Sequence, residues 1–241
     1  MNERKRARGK FKEGEELSTY ALRVALEKGE VEDKALPLLW LGLASYFQGN
    51  YDRATELCEQ RRDIGREIND YWIIANSMRM VGLCAGLLGD TERAEELLAE
   101  CREMAHDWGD LFTEGYTAFN ASIVWLTQRK FEKVEALAKT GLRCLNGIGD
   151  KFGIVRSIEK LVLVIALKKD RPERAANLFG APENLRNEIG WFLPATEKPL
   201  YDESIAAAIN SLGQNAYEEA FNEGRRMIFD QAVEYALKET E

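Results

Sequence analysis

A single histidine, His106, is present, so neither an HExxH zinc pair nor a cluster of histidine ligands can be assembled. The four cysteines, Cys58, Cys84, Cys101 and Cys144, lack close paired spacing and fall inside apolar helical patterns, where a free thiol packs as a small hydrophobe. Gly147, Gly149 and Gly153 form a loose glycine cluster, but a helical pattern precedes it where a dinucleotide fingerprint requires a strand. No GxxxxGKS/T run is there to cradle a phosphate. Adjacent carboxylates such as Glu95-Glu96 and Glu218-Glu219 fit solvated helix faces. Asn120-Ala121-Ser122 matches a glycosylation triplet but lies in the middle of a helical pattern. These residues imply no enzyme, no cofactor and no metal.

What the chain does carry is a repeat. Gly49-Asn50-Tyr51-Asp52-Arg53-Ala54 returns 40 residues later as Gly89-Asp90-Thr91-Glu92-Arg93-Ala94, and again after 40 as Arg129-Lys130-Phe131-Glu132-Lys133-Val134. A fourth copy, Lys169-Asp170-Arg171-Pro172-Glu173-Arg174-Ala175, keeps the interval with one extra residue, and Gly9-Lys10-Phe11 holds the same phase at the start. Asp70, Asp110 and Asp150 form a second series at the same spacing. An Asp side chain accepts from an otherwise unpaired backbone N–H at a helix start, and a preceding Gly ends the previous helix at little cost. Two such marks per period make each copy a helical hairpin, and a period of this size belongs to a solenoid.

Apolar spacing supports helices throughout. Leu41, Ala44, Ser45, Ala54, Leu57, Cys58 and Ile64 follow a three-to-four-residue rhythm that recurs at Val81, Ala85, Ala94, Leu97, Leu98 and Met104, with no strand-like alternation. Helices are predicted near 12–29, 35–48, 51–67, 71–88, 91–107, 111–128, 131–147, 151–168 and 172–189. Past 190 the period stops. Leu193-Pro194 and Pro199 break the chain, and helices are predicted over 201–212, 215–223 and 230–238. The expected architecture is an all-α helical-hairpin solenoid over 1–190, with a half repeat at 12–34 and full copies at 35–70, 71–110, 111–150 and 151–190, closed by a C-terminal helical cap at 191–241.

With 45% hydrophobic and 31% charged residues, the 241-residue chain has the balance of a folded protein. A net charge of −8 argues against direct nucleic-acid contact, which needs clustered Lys and Arg across a whole face. The exception is the start, where Arg4, Lys5, Arg6, Arg8, Lys10 and Lys12 read as a solvated segment. No run of about 20 apolar residues is present to span a bilayer, and the cysteines fit a reduced compartment, so a cytoplasmic protein without membrane contact is expected.

Gly42 lies twelve residues before Ala54, and Gly82 twelve before Ala94, a spacing that resembles the tetratricopeptide signature. Ser122 with Val134, and Val162 or Leu163 with Ala175, weaken it toward the C-terminus, and a period of 40 departs from the usual 34. The tail is more specific. Glu173-Arg174-Ala175-Ala176-Asn177-Leu178-Phe179-Gly180-Ala181, Leu185-Arg186, Leu193-Pro194, Tyr201, Leu212-Gly213, Ala216-Tyr217, Ala220-Phe221, Glu223-Gly224-Arg225 and Ala232-Val233 resemble the C-terminal region of large LuxR-type and related signal-transduction ATPase transcriptional regulators. That resemblance implies the regulatory arm of an ATP-binding bacterial transcription regulator, binding a partner protein or a small-molecule inducer. A stand-alone scaffold or adaptor holding a partner helix or peptide is the alternative.

In arrays of the tetratricopeptide kind the first helix of each hairpin lines a concave groove. Leu39, Arg79, Phe119 and Glu159 form one ladder at 40-residue intervals, with Tyr46 and Tyr116 near by; Leu43, Leu83, Ile123 and Leu163 form another, expected either as core between paired helices or, if it faces outward, as an apolar groove for an amphipathic helix. Tyr46, Arg79, Tyr116 and Phe119 are the expected partner contacts, since aromatic and Arg side chains dominate binding energies. Gly9-Lys10-Phe11 falls at a hairpin turn, so the chain is expected to open on the second helix of a repeat. Leu17, Tyr20, Ala21 and Val24 would then lack cover, giving a homodimer through the N-terminal half repeat or a longer protein that supplies the missing helix.

Overall fold

The structure is a computed structural model that describes residues 3–29, 31–191, 193 and 197–238, with side chains from residue 13 onward. Pro194 and the side chains of the basic run 4–12 lie outside the described residues. Twelve helices and one 3-10 turn, Glu32–Lys34, account for the fold, with no strand among the described residues. The chain divides into two compact units, Met1–Trp108 and Gly109–Glu241.

The first unit holds α1 (Glu3–Lys28), α2 (Ala35–Phe47), α3 (Tyr51–Glu67), α4 (Tyr71–Leu88) and α5 (Thr91–Trp108), each packed on the next. The second holds α6 (Leu111–Thr127), α7 (Phe131–Gly147), α8 (Lys151–Lys168) and α9 (Pro172–Ile189) in the same succession. It is completed by α10 (Lys198–Leu212) on α8 and α9, α11 (Gln214–Gly224) on α9, and α12 (Phe229–Leu237) against α7, α8 and α9. The predicted helices are found within a few residues of their expected ends. One turn is not: α1 runs from Glu3 straight through Gly9-Lys10-Phe11. Arg, Lys and Glu are good helix formers, and one interior Gly costs only about 1 kcal/mol, too little to break a helix of that composition.

The capping series behaves as the residue types dictate. Asp70, Asp110 and Asp150 accept from the backbone N–H of Ile73, Thr113 and Gly153 at 2.9, 3.0 and 3.0 Å, and Asn50 and Asp90 accept from Arg53 and Arg93 at 3.2 and 3.3 Å. The turn residue at positions 49, 89, 129 and 169 is left-handed in every copy, with φ of 80°, 93°, 55° and 59°. Glycine occupies the first two, but Arg129 and Lys169 hold the same conformation with a Cβ, at a cost of about 1 kcal/mol each. Lys169→Gly is therefore expected to raise stability by about 0.5–1 kcal/mol, read as a higher urea midpoint; an unchanged or lower midpoint would contradict the strain.

Small residues set the distance within a hairpin. A Cβ on Gly42 would meet Cys58 Sγ at 3.0 Å, and one on Gly82 would meet Leu98 Cγ at 2.9 Å. The closest crossing is between α9 and α11. A Cβ on Gly180 would overlap the Phe221 carbonyl oxygen, and one on Gly224 the Asn177 carbonyl oxygen. The end of α12 is tied to α9 by Arg174, whose guanidinium donates to the carbonyls of Tyr235, Ala236 and Lys238 at 3.1, 3.0 and 2.7 Å. By length and composition α4 is apolar enough to cross a membrane, yet 67% of it is buried, and α4 packs between α3 and α5 as a core helix.

Candidate partner-binding surface

In the first unit the buried side of α2 carries Ala35, Leu38, Leu41 and Ser45. Leu36, Trp40 and Phe47 lie off that face, spaced so that they share one helix side with the half-buried Leu43. They are 60%, 55% and 41% exposed. Arg61 of α3 joins the start of α2 to the start of α4. Its guanidinium donates to the Ala35 carbonyl at 3.2 Å, the Ile73 carbonyl at 3.3 Å and Ser77 Oγ at 3.0 Å. The same cation sits 5.3 Å from the ring centre of Trp72, which is 44% exposed. Trp72 is thereby held beside the first turn of α2, and four large apolar side chains face solvent on neighbouring helices. Of the sequence-selected contacts here, Tyr46 is half-buried against Phe47 and Tyr51 at 5.2 and 5.9 Å, and Arg79 donates to Asn76 Oδ1 at 3.1 Å. On α1, Leu17 and Tyr20 are 70% and 59% exposed.

The second unit places its two selected residues differently. Tyr116 is half-buried and donates to Asp150 Oδ2 at 2.8 Å. Phe119 is buried, with the Arg156 guanidinium 5.3 Å and the Lys160 ammonium 5.8 Å from its ring centre. Around them α8, α9 and α10 build a charged network. Arg156 pairs with Glu159 and Glu197, Lys160 with Glu197, and Arg186 with Glu159 at 3.0 Å and with the Tyr201 hydroxyl at 3.4 Å. Burial alone would raise the Glu197 carboxyl, but Lys160 and Arg156 together hold it down at about 2. At Lys160 burial outweighs the attraction of Glu197 and holds the ammonium below its ordinary value. Tyr201 is pushed up to about 12, chiefly by burial.

The cysteines are packing groups. Cys58, Cys84 and Cys101 are buried, and burial pushes the first two thiols up to about 11 and about 12, which keeps them protonated and unreactive. Among the described residues no group of three or more His, Cys, Asp or Glu is placed to hold a metal ion.

Sequence reasoning missed Trp72, Trp40 and the network on α8. An available signal was that Trp72, Phe112 and Phe152 stand 40 residues apart, an aromatic column at the start of successive first helices. Arg156 and Lys160 gave no such signal, because their acidic partner Glu197 lies beyond the repeats.

Residues 33–106 match the tetratricopeptide repeat family. This stretch is a tetratricopeptide repeat region; it starts within the 3-10 turn and takes in α2 to α4 and all but the last two residues of α5. Among solved structures the chain is similar to BtubC (BKLC) from P. vanneervenii, with a TM-score of 0.64 and 15% identity over 90% of this chain and 88% of that one. At that identity the likeness establishes the fold, an all-α tetratricopeptide-like helical repeat. No curated protein matches the chain. A tetratricopeptide fold is in general a non-catalytic scaffold that binds other proteins.

Proposed function

We propose that this chain is a protein-interaction scaffold that receives an amphipathic partner helix on the α2–α4 face of its tetratricopeptide region, and that it serves as the sensing arm of a larger ATP-binding transcriptional regulator. The first part rests on Leu36, Trp40, Phe47 and Trp72. Single exposed apolar residues are ordinary, but four large ones on adjacent helices, with Trp72 braced by Arg61, make an apolar patch of the kind a helix buries. In this reading Tyr46 and Arg79 supply the bordering aromatic and polar contacts. The second part is supported by the tail resemblance over residues 173–233.

The test is a pair of substitutions in the intact protein. A photo-crosslinking residue at position 43 identifies the partner in cells, and calorimetry then measures its affinity for the wild type and for Trp40→Ala/Trp72→Ala. A loss of at least tenfold is expected, since buried tryptophans at interfaces are commonly worth about 2 kcal/mol or more. An unchanged affinity in a variant that melts like the wild type would remove the surface from consideration. A nucleotide-binding module encoded in frame upstream supports the regulator reading; its absence, with partner binding retained, points to a stand-alone adaptor.

A further inference from the structure

The second unit buries more positive charge than its repeats neutralise. The side chains of Arg156, Lys160 and Arg186 are only 5%, 3% and 12% exposed, and against them α8 places the fully buried Glu159. The remaining charge is met by Glu197, which arrives from beyond α9 at the N-cap of α10. Its carboxylate accepts from both terminal nitrogens of Arg156 and from Lys160 Nζ, a two-pronged guanidinium contact with an ammonium closing one oxygen. Phe119 lies beneath both cations, and the Trp191 ring lies 5.2 Å from the guanidinium. The buried indole N–H of Trp191, next to the guanidinium that grips the carboxylate, has no acceptor among the described residues. The Glu197 side chain as a whole keeps 23% exposure.

We propose that Arg156 and Lys160, framed by Phe119 and Trp191, form a carboxylate-recognition site for an acidic peptide segment of a partner, and that Glu197 is its intramolecular occupant. The site extends the scaffold reading to a second surface but stands independently of the α2–α4 face. Arg156 and Lys160 beside Glu159 alone would leave excess buried positive charge, which is disfavoured, so the site exchanges one carboxylate for another. A partner glutamate has to displace Glu197, and an acceptor next to it in the partner can take the Trp191 N–H. Competition from the tethered Glu197 lowers the apparent affinity of the intact chain, and removing its carboxylate exposes the intrinsic affinity.

The experiment titrates a fluorescein-labelled peptide copying residues 195–204 of this chain into the full-length wild type and Glu197→Ala, read by fluorescence polarisation. Binding to Glu197→Ala at least tenfold tighter than to the wild type is expected. A peptide with glutamine in place of its first glutamate is expected to lose that gain. The acidic peptide should also raise the melting temperature of Glu197→Ala and leave the wild type unmoved. Equal affinity for both chains, equal affinity of the glutamine peptide, or no binding to a Glu197→Ala chain with wild-type circular dichroism each overturns the proposal. Should Glu197→Ala fail to fold, Glu197→Asp takes its place: its shortened carboxylate holds the site less well, and affinity equal to the wild type again overturns it. Loss of the α2–α4 partner upon Trp40→Ala/Trp72→Ala leaves this titration untouched, so the two readings fail separately.

Discussion

Gly224→Ala is expected to destabilise the second unit by about 3 kcal/mol or more and to loosen α11 from α9. The position is helical and a Cβ is conformationally welcome there, so local propensity alone predicts a gain from the substitution. Packing decides otherwise. The added methyl would coincide with the carbonyl of Asn177, and the reciprocal position, Gly180, faces the Phe221 carbonyl and the Arg225 backbone nitrogen. Because the obstructing atoms are backbone, no rotamer change makes room, and the two helices must separate. Gly42→Ala is the control. Its nearest neighbour is the Cys58 thiol at 3.0 Å, the end of a side chain that can shift, so a cost below about 1.5 kcal/mol is expected. Urea unfolding followed by circular dichroism checks both; equal midpoints for the two variants would show that the α9–α11 crossing does not set the stability.

That contrast also shows how far the sequence could be read. The hairpin phase was legible because capping is local: an Asp at 70, 110 or 150 needs only its own next turn to act, and each does so. The run of α1 through Gly9 was not, since a weak turn signal inside a strongly helix-forming segment loses to propagation. Glu173-Arg174-Ala175-Ala176-Asn177-Leu178-Phe179-Gly180-Ala181 and Glu223-Gly224-Arg225 stood out as a tail signature. Their structural meaning, a backbone-to-backbone crossing with Arg174 capping the last helix, depends on residues 41 to 64 positions apart in sequence.

The candidate surfaces were legible only in part for the same reason. A 40-residue ladder identifies which positions share a rung, and it led to Tyr46, Arg79, Tyr116 and Phe119. It does not reveal what covers a rung. Phe119 and Glu159 have Arg156, Lys160 and Arg186 over them because the chain beyond the repeats sends Glu197 and Tyr201 to the same place. Leu36, Trp40 and Trp72 remain uncovered, and a pattern that scores helix faces only for burial passes over large side chains left in solvent.

Replacing Glu159 by leucine is expected to cost about 3–5 kcal/mol, although it puts an apolar residue into a fully buried position. Glu159 is 0% exposed and is shared between two guanidiniums, with Arg156 on its own helix and Arg186 at 3.0 Å from α9. Transfer of leucine from water is favourable, but among the described residues the substitution leaves the Arg186 guanidinium with the Tyr201 hydroxyl at 3.4 Å, and leaves Arg156 to share Glu197 with Lys160. An unpaired buried charge outweighs one buried side chain of hydrocarbon, worth about 1.5–3 kcal/mol. The sign of the effect therefore turns on the partner rather than on Glu159 itself. Glu159→Leu/Arg186→Leu removes both charges, leaves Arg156 and Lys160 on Glu197, and is expected to recover most of the loss. Urea midpoints for the wild type, both single variants and the double close the cycle. A Glu159→Leu chain as stable as the wild type, or a double variant no better than the single, would show that the network is not held together by charge pairing.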